Sequence, residues 1–193
     1  MKSWMKQVVF FMVAAIAAAS FSGCGNAKVE IPQNMTGSLY TQVTMWEDKG
    51  KTYSLNYSVT NKIPVNTEVR ILSMSAKNLV LELGNSGQKV TLVNVEKYSQ
   101  MGTAVLAERL FGSKKVNLSK FTKKEQAFIK SFAGFYQAGI TKEALIVARG
   151  YPSQHVTPSL KSDTWKYWRN KWVTKNIGFE NNKVKTFNGQ PLQ

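Results

Sequence analysis

His155 is the only histidine in the chain, so a Ser-His-Asp or Cys-His site would have to be built on it. Ser153 and Ser159 are close in sequence and Asp163 is eight residues on. Polar clusters of this kind are common in loops, and the expected role of His155 is a hydrogen bond that pins its loop. Zinc needs a cluster of Cys and His ligands, and one His with one Cys does not supply it. The 11 acidic residues are scattered, with no pair placed for sugar hydrolysis. No Gly-rich phosphate loop appears. These residues predict no enzyme, no metal and no cofactor, and they turn attention to binding.

The most unusual binding candidate is Lys161 to Lys175. Here Trp165, Trp168 and Trp172 alternate with Lys166, Arg169, Lys171 and Lys175. On one continuous strand, Trp168 and Trp172 would lie opposite Trp165 and Tyr167. If Trp165 and Tyr167 cover helices, the other two rings face outward among cations. Exposed aromatics beside basic groups suit a membrane interface or a protein partner. Lys166, Arg169, Lys171, Lys175, Trp168 and Trp172 form the expected binding surface.

The remaining reactive group is the thiol of Cys24, the only cysteine. It follows a short basic start (Lys2, Lys6) and an unbroken apolar run from Val8 to Ala19, the parts of an export signal. That run is shorter than the roughly 20 residues of a spanning helix. Phe21-Ser22-Gly23-Cys24 resembles the lipobox of bacterial lipoproteins, with Phe21 where the family usually has Leu. The resemblance implies cleavage before Cys24 and a covalent lipid on its sulfur, the one attached group expected. A lone thiol has no intramolecular disulfide partner in an oxidising compartment, and lipid would give it a use. Gly25 stands where inner-membrane retention usually places Asp. By that sorting rule the protein belongs on the periplasmic face of the outer membrane.

The whole chain has a formal charge of +15, and removing the two signal lysines leaves +13. Anionic lipid headgroups, cell-wall carboxylates or an acidic partner would be attracted. Nucleic acid is disfavoured by the compartment and by the dispersal of the basic residues.

Asn26 to Thr36 is polar, holds Pro32 and reads as a tether with a reach of some tens of Å. From Gly37 to about Lys97 the pattern is β. Strand-like runs cover Leu39 to Val43, Thr52 to Thr60, Val69 to Leu72, Leu79 to Leu83 and Val90 to Val93. Five short strands in about sixty residues predict a small barrel. Ile63-Pro64-Val65-Asn66-Thr67-Glu68-Val69 resembles the proline and Gly-Thr turn of bacterial SH3-like domains, with Asn66 for Gly.

From Thr103 the pattern becomes helical. Ala104 to Leu110 reads as a short helix, and Thr122 to Glu125 as a capping box before a longer one. The stripe Phe128, Ile129, Phe132, Phe135 and Tyr136 is expected in the core. Gly139 ends that helix, Thr141 caps the next, and Gly150 with Pro152 stops it. Asn181-Asn182 predicts a type I′ hairpin with Phe179 opposite Val184. In order, Gly139-Ile140-Thr141, Gly150-Tyr151-Pro152, Trp165-Lys166-Tyr167 and Phe179 to Val184 resemble the signature of the SmpA/OmlA (BamE-like) family of outer-membrane lipoproteins. Arg149 departs from that family's Leu.

The resemblances together imply an α+β chain, an SH3-like β-barrel followed by a helix-helix-three-stranded antiparallel sheet. The expected division is a signal over 1–23, a lipidated tether over 24–36, an SH3-like domain over 37–100, a helical linker over 101–121 and an SmpA/OmlA-like domain over 122–193. The function implied is a non-enzymatic scaffold or binding lipoprotein, serving outer-membrane protein assembly or envelope integrity. The alternative is an SH3-like module that binds peptidoglycan.

Overall fold

The computed structural model describes residues 27–193 except Thr60, Asn85 and Ala133. The first half carries β1 (Leu39–Thr41), β2 (Met45–Glu47), β3 (Lys51–Tyr53), β4 (Asn61–Ile63), β5 (Glu68–Met74), β6 (Asn78–Leu83) and β7 (Lys89–Val93). Helices α1 (Glu96–Ser99) and α2 (Thr103–Leu110) follow, then β8 (Phe111–Gly112). The second half holds α3 (Lys123–Lys130), α4 (Lys142–Arg149), β9 (Thr164–Trp168), β10 (Thr174–Glu180), β11 (Lys183–Phe187) and β12 (Gln190–Pro191).

Strict alternation builds the larger sheet. Along β6, Leu79, Leu81 and Leu83 are buried while Asn78, Val80 and Glu82 are half-exposed. Its neighbours β5 and β7 place Val69, Ile71, Val90 and Leu92 on the same inner side. The six strands run in the order β3-β7-β6-β5-β1-β8 and curl around this face. Helix α2 closes it with Leu106, Ala107 and Leu110. Full burial of each Leu or Val contributes about 1.5–3 kcal/mol.

A second core lies between α3, α4 and the four-stranded sheet β12-β11-β10-β9. Trp165 is fully buried against Phe179, their ring centres 4.7 Å apart. Thr122 and Glu125 form the capping box at the start of α3. Glu125 also accepts from the backbone N–H and hydroxyl of Thr141, which caps α4. Burial alone would raise the Glu125 carboxyl, but these bonds from Thr141 and Thr122 outweigh it and hold it low. One carboxylate thus fixes both helix starts. The tight turn at Asn181 and Asn182, with φ of 50° and 61°, sets Phe179 opposite Val184.

The two cores are joined by polar bridges. Thr44 N–H donates to the Val147 carbonyl at 2.8 Å. The Asn56 amide donates to the carbonyls of Thr44 and Arg149, both at 2.9 Å. Ile146 packs against both cores.

This architecture corrects the expected one. A six-stranded curled sheet and a four-stranded sheet dominate, with four short helices among the described residues. It is not an SH3-like barrel followed by two helices and a three-stranded sheet. The expected strand Thr52 to Thr60 stops at Tyr53, where the chain turns and Asn56 takes φ 45°. β3 then pairs parallel with β7, which a meander cannot do. The stretch expected as a helical linker supplies β8, the partner of β1, and the C-terminus adds β12.

The start of the chain is corrected too. Residues 27–36 of the segment expected as a lipidated tether lie against the larger sheet. Ala76 N–H donates to the Ala27 carbonyl at 3.0 Å, and Val29 N–H donates to that of Met74 at 3.0 Å. Val29 and Ile31 pack against the core, and Met35 is buried.

Candidate functional site

Helix α3 stops at Lys130, so it carries Phe128 and Ile129 of the expected stripe and leaves Phe132, Phe135 and Tyr136 beyond it. Its last carbonyls and those of the loop after it are captured by cations from elsewhere in the chain. The Lys62 ammonium donates to the carbonyls of Ile129, Lys130 and Ser131. The Arg149 guanidinium donates to those of Phe132 and Phe135, each at 2.8 Å, and to the Ser131 hydroxyl at 2.7 Å. Cations suit the negative end of a helix. The loop they hold turns Phe132 out to 86% exposure and Phe135 to 47%, so these two are not core. Arg149 is buried over the Phe128 ring at 4.4 Å. Burial lowers its pKa to about 10.

The basic-aromatic segment does not form one strand. β9 ends at Trp168, and Arg169 to Val173 make a turn closed by Arg169 N–H donating to the Val173 carbonyl. The Asn170 side chain accepts from the N–H groups of Trp172 and Val173. The predicted surface is therefore split. Trp172 is 79% exposed at the turn, with the Lys171 ammonium 5.0 Å from its ring, and Arg169 is exposed beside them. Trp168 is half-buried, and Lys166 is half-buried with its N–H donating to the Thr157 hydroxyl.

Lys175 is buried and does not belong to the surface. Its ammonium lies 5.5 Å from the Tyr136 ring. Burial first, then the charges of Arg149 and Arg169, lower its pKa from 10.5 to about 8. Between those values the unfolded chain holds more protons than the folded one, so stability rises with pH. Thermal melts between pH 8 and 9.5 are expected to move upward for the native protein. In Lys175→Met that rise should flatten; an equal slope in the variant would contradict the assignment.

The split surface borders a groove between the two halves. Trp46, Tyr53 and Tyr57 line it with Asp48, Lys49 and Lys51, and Asn170 and Lys171 face them across about 540 Å³. Tyr53 and Tyr57 are half-buried, with ring centres 5.4 Å apart. A smaller recess of about 60 Å³ adjoins it through Tyr57 and Lys171, and adds Tyr98, His155 and Trp168. Burial raises the Tyr57 hydroxyl pKa, helped by Tyr98 and Tyr53. A third cavity lies behind Tyr151, whose ring stacks on Arg109 at 3.7 Å. At about 30 Å³ it has room for about one water and is a packing seam.

No family model, no curated protein and no solved structure matches this chain.

His155 sits at the recess in a stack. Its ring is 4.7 Å from Tyr98 and 6.3 Å from Trp168. Its Nδ1 is 2.8 Å from the buried Ser153 hydroxyl. The backbone carbonyl of Asp163 accepts from Phe179 N–H, no hydrogen bond joins its carboxylate to His155, and the Ser159 hydroxyl accepts from Lys161 N–H. The structure thus brings Ser153 to His155 but does not assemble the sequence neighbours into a triad. Among the described residues no group of three or more His, Cys, Asp or Glu is placed to hold a metal. No helix among them is long and apolar enough to cross a membrane.

Phe21, Ser22, Gly23 and Cys24 lie outside the described residues. Of the predicted surface, Lys171 and Trp168 reach the groove and its recess. Sequence reasoning missed Trp46, Tyr53, Tyr57 and Tyr98. The only signal was the alternation of Tyr53, Leu55, Tyr57 and Val59 with polar residues. That alternation predicts one strand face, not a wall.

Proposed function

We propose that the chain is a non-enzymatic binding lipoprotein of the cell envelope, held by lipid on Cys24 at the periplasmic face of the outer membrane. The groove between its two halves is the binding surface. The observation that supports this is the pairing of rings with cations: Trp46, Tyr53 and Tyr57 beside Lys49, Lys51 and Lys171. Rings contribute contact area at low entropic cost, and a few charged groups orient what is bound.

The anchor is tested by cell fractionation and by mass spectrometry of the mature N-terminus. The native protein should fractionate with the outer membrane and begin at a diacylated Cys24. Cys24→Ser should leave the membrane fraction almost entirely. A native N-terminus without lipid, or equal membrane recovery of the variant, would sink the anchor.

A second reading is a scaffold in outer-membrane protein assembly, of the SmpA/OmlA type. Exposed Phe132 and Trp172 favour it, since aromatic side chains are enriched at partner interfaces. Photo-crosslinking from position 172 to an outer-membrane protein, with none from the groove, would favour this reading over the first.

A further inference from the structure

We propose that the groove holds an acidic glycan of the cell-wall type, its sugar rings on Tyr53 and Tyr57 and its carboxylates against Lys51 and Lys171. This names the ligand class of the binding surface above and rests on that reading.

Three observations favour a glycan. A sugar ring has an apolar C–H face and a polar rim, so it needs an aromatic surface with polar groups beside it. Tyr53 and Tyr57 offer two tilted faces 5.4 Å apart, and Asn170 and Lys171 stand across from them. The groove is open, and its 540 Å³ lies within the range of small-ligand sites.

Charge narrows the class. Three lysines, Lys49, Lys51 and Lys171, face one carboxylate, Asp48, so an uncharged sugar would leave the groove strongly cationic. Carboxylates on the ligand would balance it. An acyl chain fits poorly, because it would strip water from these ammonium groups without pairing them.

An acidic peptide is the nearest competitor. Extended peptides commonly bind by adding a strand to an open sheet edge. β3 is the edge strand beside the groove. Its start is occupied: Lys51 N–H donates to the Asp48 carbonyl, and Asp48 N–H donates back to that of Lys51. At its end, the outward carbonyl of Tyr53 is occupied too, accepting from Asn56 N–H at 2.7 Å. Little edge is left for a peptide backbone, whereas the rings remain half-exposed.

The test uses the full-length lipidated protein in nonionic-detergent micelles. Binding is read by sedimentation with purified peptidoglycan, and by tryptophan fluorescence with soluble disaccharide-peptide fragments at physiological salt. Lys51→Gln/Lys171→Gln should weaken both by about tenfold or more, and so should Tyr57→Ala. A control pair of exposed lysines, Lys123→Gln/Lys183→Gln, removes the same charge and should change binding by less than about twofold. The lysine variants lie on the surface, so they keep the test valid if Tyr57→Ala fails to fold.

Groove variants that bind like the native protein would overturn the proposal. So would equal loss in the control pair, which means diffuse attraction to charge. Sugar-free poly-glutamate competing as well as the disaccharide fragments would make the occupant an acidic peptide. If Cys24 carries lipid and peptidoglycan still fails to bind, the glycan is wrong while the anchored binding protein stands.

Discussion

Arg149→Met is expected to lower stability by about 3 kcal/mol, a fall in melting temperature of roughly 6–12 °C for a domain of this size. The reason lies in what the guanidinium leaves behind. The Phe135 carbonyl and the Ser131 hydroxyl lose their donor, and the Phe132 carbonyl keeps only Phe135 N–H. A buried ion pair can often be exchanged for apolar residues at little cost, but here the partners are backbone groups that stay in place. Arg149→Lys should recover only part of the loss, since one ammonium cannot reproduce the planar fork. Thermal melts followed by circular dichroism decide this. A variant within about 2 °C of the native protein would show that the α3–α4 loop does not depend on Arg149.

Gly150→Ala should cost a similar amount, about 3 kcal/mol, by a different route. Gly150 has φ 79°, which disfavours a side chain. An added Cβ would also stand 2.4 Å from the Asn56 amide nitrogen. That nitrogen bonds the carbonyls of Thr44 and Arg149, and the Asn56 oxygen accepts from Trp46 N–H at 3.2 Å. The methyl group would therefore push apart the bridge between the two cores. Asn56→Ala alone should cost about 2 kcal/mol, from the bonds it deletes. The double variant should lose clearly less than the sum, because the clash is then gone. Urea unfolding of the four proteins measures the coupling, and strict additivity would refute the bridge.

Local chemistry was legible in the sequence where the partners are near in the chain. Thr122 and Glu125 cap α3, Thr141 caps α4, and Asn181-Asn182 turn the last hairpin as read. Each of these depends on residues within one turn. The errors share a different cause. Helical periodicity carries on through Tyr136, yet α3 ends at Lys130, where Lys62, 68 residues away, takes its last carbonyls and Arg149, 19 residues away, holds the loop that follows. Apolar alternation runs to Val59, yet the strand ends at Tyr53, where Asn56 is drawn to Trp46 and Arg149. The groove was hidden for the same reason. Its walls come from near Trp46, Tyr57 and Lys171, which no spacing rule brings together.

The hydrogen bond between Ala27 and Ala76 has a mechanical consequence. With lipid on Cys24, two residues, Gly25 and Asn26, separate the anchor from Ala27, the first fixed backbone group among the described residues, a span of at most about 10 Å. The body would then be mounted like a short post, not floated on a string. Tyr53 pairs with Val93, and Val93 with Asn78, so the Tyr53 end of the groove lies level with the end of the sheet where the chain enters. A glycan seated there would be held at a short, nearly constant height above the bilayer, which fixes the gap between wall and membrane. Lengthening the chain between Cys24 and Ala27 would widen that gap without touching the groove.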